Sequence, residues 1–105
     1  MEQPNLSYIK KISKGEIEFE QTLLEIINEE LSGEIDNYYK FLQENNFEKA
    51  KFYIHRIKHK MSILGLEKSY EITNVFEKSI KKGDFKNKEY FESILPIMLK
   101  FLQKL

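Results

Sequence analysis

A chain of 105 residues is too short to enclose two hydrophobic cores of ordinary size, so residues 1–105 are read as one domain. Hydrophobic residues make up 41% of it, enough for a core, and 17 Lys plus Arg balance 17 Asp plus Glu, which leaves no net field to draw the chain to nucleic acid or an anionic membrane. The lack of Cys excludes disulfides, thiolate metal sites and cysteine nucleophiles, the longest apolar runs, such as Ile94 to Leu99, fall far short of a membrane span, and the N-terminus has no secretion-signal stretch, so the expected setting is the cytoplasm.

Leu6, Tyr8, Ile9 and Ile12 predict a short first helix, ended by Ser13-Lys14-Gly15 with the glycine suited to a left-handed cap. From Glu16 the apolar residues Phe19, Leu23, Ile26, Ile27, Leu31, Ile35, Tyr38 and Leu42 recur in steps of three and four, which predicts one long helix passing through Gly33. After the polar break Glu44-Asn45-Asn46, a third helix carries Phe47, Ala50, Ile54, Ile57, Met61 and Leu64 and stops at Gly65. Leu66, Tyr70, Thr73, Phe76 and Ile80 mark a fourth, closed by Lys81-Lys82-Gly83, where cations in the last turn suit the helix dipole. Phe91 to Leu105 forms a fifth, which Pro96 is expected to kink or split. No alternating strand pattern occurs. Short connections between consecutive helices imply an all-α fold, an antiparallel four-helix bundle with a short additional N-terminal helix.

Both histidines fall in the third helix. At about 100° per residue, Ala50, Tyr53, Ile54, Ile57, Met61 and Leu64 share the core side, while Lys51, His55, Lys58, His59 and Ser62 gather on the opposite, solvated side. His55 is thus ringed by donors: Lys51 one turn before it, Lys58 and His59 one turn after. Such a ring suits an anion such as phosphate. Phe52, about 60° from His55 on the wheel, is expected as an exposed apolar contact for a docking partner.

The run His55-x-x-Lys58, followed by Leu64-Gly65, resembles the signature of histidine-containing phosphotransfer (HPt) domains. Gly15-Glu16 with Phe19 and Leu23, and Asn46-Phe47 ahead of the third helix, resemble further marks of that family. The resemblance implies a phosphorelay carrier without kinase activity of its own. His55 would be the phosphoacceptor and Lys58, read as a solvated surface cation, would balance the phosphoryl charge, with Lys51, Phe52, His59 and Ser62 as binding residues. It implies response-regulator receiver domains and hybrid histidine kinases as partners, a monomeric chain, and no cofactor beyond Mg2+ on the partner receiver domain. A neutral imidazole nitrogen is a competent nucleophile near neutral pH, which agrees with this chemistry. Where the family commonly has Gly one turn after the histidine, this chain has His59, followed by Lys60 and Met61. His59 either crowds a docking receiver or donates to the phosphate, and a degenerate interaction module that binds receivers without being phosphorylated stays open as the alternative.

Two rival readings are weaker. His55 and His59 at i and i+4 match the helical half of a zinc site, but no H-E-x-x-H motif, Cys or placed third ligand accompanies them, and no metal is expected. Met61 to Ile80 imitates a helix-turn-helix, but Glu67, Glu71 and Glu77 burden its second helix, and no nucleic-acid partner is expected.

Overall fold

The computed structural model describes residues 1–105. Its regular structure is entirely helical, with α1 (Ser7–Ser13), α2 (Ile17–Gln43), α3 (Phe47–Ile63), α4 (Glu67–Ser79), a single 3-10 turn at Ile80–Lys82, and α5 (Lys88–Gln103). Each boundary has a local cause. Lys14 (φ 50°) takes the left-handed conformation that ends α1, and Gly15 after it has positive φ as expected (83°). Asn46 caps α3 by accepting a hydrogen bond from the Lys49 amide at 3.2 Å. The last turn of α4 tightens into the 3-10 geometry before Gly83 reverses the chain. Pro96 does not split α5, which runs unbroken from Lys88 to Gln103. Pro96 itself lies on the exposed side of the helix.

Helix α3 packs on α2 and α4, α5 packs on the same two helices and α1 on α2, and all five helices contribute to one core. Ile9, Leu31, Tyr38, Ile54, Ile57, Met61, Phe76, Phe91, Ile94 and Met98 are fully buried in it. Burying each large side chain contributes about 1.5–3 kcal/mol. The Tyr38 ring meets Phe91 edge-on at 5.0 Å, and its hydroxyl donates to Glu92 at 2.8 Å. Burial, with this hydrogen bond, pushes the Tyr38 phenol above its ordinary range.

The apolar stripe of α2 is only partly used. Ile27, Leu31, Ile35 and Tyr38 are buried, but Phe19 and Ile26 remain about half exposed, at 48% and 46%. The face each residue occupies explains this, because Ile27, next to Ile26, is 3% exposed, and Leu23 and Leu24, between Phe19 and Ile26, pack against the core. No helix is long and apolar enough to cross a membrane.

The residues ahead of α1 are strapped across the α3–α4 turn. The Asn5 amide donates to Leu64 O at 2.8 Å, and the Glu2 carboxylate accepts from the Lys68 amide (3.0 Å), the Ser69 amide (2.7 Å) and the Ser69 hydroxyl (2.7 Å). No nearby side chain caps α4, so Glu2, distant in sequence, supplies acceptors for its first free amides. Partial burial pushes the Glu2 carboxyl up, but the bonds from Ser69 and Lys68 outweigh it and hold the group below the usual carboxylate range.

Gly65 sits under this strap at φ 75°, and a Cβ there would overlap the Asn5 side chain. Gly33, within α2, has open space around it. Gly65→Ala is therefore expected to destabilise the fold by about 1–3 kcal/mol, whereas Gly33→Ala should stabilise it by about 0.5–1 kcal/mol. Urea denaturation of the two variants checks both signs.

Candidate functional site

The rotation of α3 about its axis decides what its polar residues can do. The core side, with Ala50, Ile54, Ile57 and Met61, is buried as the apolar period requires. His55, His59 and Ser62 are exposed on the far side, Phe52 is 55% exposed, and Lys51 is half-buried. Two lysines depart from this division.

Lys58 is not a solvated surface cation. It is 6% exposed and turned into the α3–α4 interface, where its ammonium lies 2.9 Å from Glu77 Oε1 and donates to Asn74 Oδ1 at 3.0 Å. Its charge also lies 5.4 Å from the centre of the Tyr70 ring. Lys60, on the opposite flank, is equally buried against α2. It donates to Glu34 Oε2 at 2.9 Å and pairs with Glu30 at 3.1 Å, while Arg56 Nε donates to the same Glu34 oxygen at 2.8 Å. The long aliphatic stems of both lysines cover core edge while the charged heads find carboxylates.

Glu77 also reaches His55. Its Oε2 stands 3.0 Å from His55 Nδ1, and His55 Nε2 stands 3.0 Å from His59 Nε2, with the two rings edge to face at 4.5 Å. These contacts fix the protons. A carboxylate can only accept, so His55 Nδ1 is the donor and, in the neutral ring, Nε2 keeps its lone pair; His59 Nε2 then donates to it. The result is a line of polar contacts, an ion pair from Lys58 to Glu77 and then hydrogen bonds from Glu77 through His55 to His59. Burial pushes the Glu77 carboxyl up, but bonds from Lys58 and His55 overcome it and hold the group below its ordinary value. Partial desolvation, then the nearby charges of His55 and Lys58, hold the His59 imidazole below its ordinary value, so His59 is largely neutral at pH 7.

The structure thus brings together three of the residues expected at the site: His55, Lys58 and His59. It leaves the others apart, since no hydrogen bond or ion pair joins Lys51, Phe52 or Ser62 to His55. Ser62 borders a shallow groove with Glu67, Tyr70 and Glu71 at the start of α4. Phe52 borders another with Phe41, Asn46, Lys49 and Tyr53, and its ring lies 5.9 Å from the Arg56 guanidinium. Glu77 and Asn74 are site residues that sequence reading missed. They lie three apart on α4, and their spacing does place both on one helix face, but nothing in the chain says that this face meets Lys58. No family model matches the chain, and no curated protein or solved structure matches it.

Because Lys58 is buried against a carboxylate, its removal leaves Glu77 without its closest counter-charge. Lys58→Ala is expected to cost about 1.5–3 kcal/mol of stability, read from denaturant or thermal melts. A carboxyl held below its ordinary 4.5 in the fold stabilises the fold fully above that pH and loses its contribution as pH falls through the lowered value. The stability difference between wild type and Glu77→Gln is accordingly expected to be widest above pH 4.5 and to narrow on further acidification.

Proposed function

We propose that the chain is a phosphorelay carrier of the HPt type: a cytoplasmic, monomeric, antiparallel four-helix bundle with α1 as the short additional helix. His55 takes a phosphoryl group from the aspartyl phosphate of one receiver domain and yields it to another. The observation that carries this reading is the Glu77 carboxylate on His55 Nδ1, which leaves an unprotonated Nε2 on an exposed helix face. A nucleophile prepared in this way needs no separate base.

In the proposed step the Nε2 lone pair forms a bond to phosphorus as the P–O bond to the aspartyl carboxylate breaks, and that carboxylate departs with the bonding electrons. The ring keeps its Nδ1 proton and gains positive charge, which Glu77 is placed to offset. Lys58, fixed on the other oxygen of Glu77, keeps that carboxylate ionised and oriented, so its assistance to the phosphoryl group runs through Glu77 rather than by direct contact. His59 now covers the Nε2 lone pair; it turns aside when phosphorus approaches and has a ring N–H to donate to a phosphoryl oxygen. Mg2+ belongs to the receiver domain in this scheme. The chain itself is a carrier and not an enzyme, and hybrid histidine kinases and response regulators are its partners.

The covering of Nε2 by His59 favours a second reading, an interaction module that binds receiver domains and is never phosphorylated. Incubation with a phosphorylated receiver domain separates the two. Acid-labile, base-stable phosphate is expected on wild type and His59→Gln, and none on His55→Gln. Label that persists in His55→Gln overturns the assignment, and receiver binding with no label on any form supports the interaction module.

The exposed Phe52 ring is the proposed apolar contact beside the histidine. Phe52→Ala is expected to weaken receiver binding by about 5-fold or more, with an unchanged melting temperature. Calorimetric titration with the receiver measures this.

A further inference from the structure

We propose that His55 and His59 form a chelating site for a divalent transition-metal ion, bound through their two Nε2 atoms. Three features of the structure point there. The two nitrogens are on successive turns of α3 and converge to 3.0 Å rather than diverging into solvent. With metal–nitrogen bonds of about 2.05 Å, that separation subtends about 94° at an ion, the angle between neighbouring positions of a square-planar or octahedral shell. Finally, His55 Nδ1 is engaged by the Glu77 carboxylate at 3.0 Å, the outer contact that orients metal-bound imidazoles and strengthens them as ligands.

The nearby positive charge of Lys58 does not weigh heavily against a cation, since Glu77 Oε1 stands 2.9 Å from its ammonium. No cluster of three or more His, Cys, Asp or Glu side chains is arranged to hold a metal, so water completes the shell. A shell of two imidazoles at a right angle plus water suits Ni2+ and Cu2+ better than Zn2+, whose tetrahedral angle needs the nitrogens wider apart. Loading the site moves one proton: His59 gives up its Nε2–H and carries the proton on Nδ1, both rings staying neutral. The site does not depend on the proposed phosphotransfer. If that function holds, metal and phosphoryl group compete for one lone pair, and the metal-loaded chain is closed to phosphorylation.

The test uses the full chain, 15N-labelled and without any receiver, titrated with Ni2+ and followed by amide NMR. Paramagnetic broadening is expected to centre on residues 55 and 59 with one ion bound. His59→Gln and His55→Gln should each weaken it more than Glu77→Gln, which should itself cost about 10-fold to 100-fold in affinity. Broadening centred elsewhere, such as the N-terminal amine, overturns the proposal. So does an affinity in His59→Gln equal to wild type, which would reduce the pair to a hydrogen bond. Because no phosphate is involved, failure of the carrier function and failure of the metal site appear in separate experiments.

Discussion

Two buried lysines, two residues apart on one helix, fix the geometry of this protein. Lys58 and Lys60 leave α3 on opposite flanks, the first to Glu77 on α4 and the second to Glu34 on α2. An apolar stripe alone specifies the facing of a helix loosely, because neighbouring hydrophobic positions can exchange places at small cost. A buried ammonium without its carboxylate is far more expensive, so ion pairs on both flanks hold α3 against rotation in either direction. Everything on the outer face, His55 and His59 above all, takes its direction from that restraint.

The same arrangement joins stability to chemistry. Glu77 uses one oxygen to hold α4 against α3 and the other to orient an exposed imidazole. The contacts of Glu77 with Lys58 and His55 outweigh the upward push of desolvation on its carboxyl, and the imidazole acquires a defined tautomer on the protein surface. On the other flank, Arg56 and Lys60 both reach Glu34 and Glu30 pairs with Lys60, contacts that tie α3 to α2 and touch no imidazole.

Much of the fold was legible in the sequence because helix periods and breaks are local. The stripe from Ala50 to Leu64, the break at Glu44 to Asn46 and the reversals at Gly65 and Gly83 all follow from neighbours a few residues apart. Two failures have one origin. Phe19 and Ile26 fit the period of a core helix, yet are half exposed, because Leu23, Leu24 and Ile27 beside them are the ones that turn to the core. Lys58 has the wheel position of a surface residue, about 60° from His55, yet is buried because α4 closes over that flank. A helical wheel separates inside from outside, but the flank belongs to whichever neighbour arrives, and Glu77 arrives from the next helix. The exposed position of His55 was readable from α3 alone; its orientation by Glu77 was not.

The strap at the start of the chain has a dynamic consequence. The Lys68 and Ser69 amides are held by a carboxylate 66 and 67 residues earlier. Contacts this distant in sequence form late, since the loop they close must first be ordered by everything between. They are also suited to open separately, without the core. Without Glu2 the Lys68 and Ser69 amides lose these acceptors, whereas Tyr70, the next residue, keeps its amide bond to Leu66 O and its ring 5.4 Å from the Lys58 ammonium. Solvent exchange at these two backbone amides is therefore expected to report whether the Glu2 segment is in place, and contacts lead from there along α4 to the imidazole at residue 55.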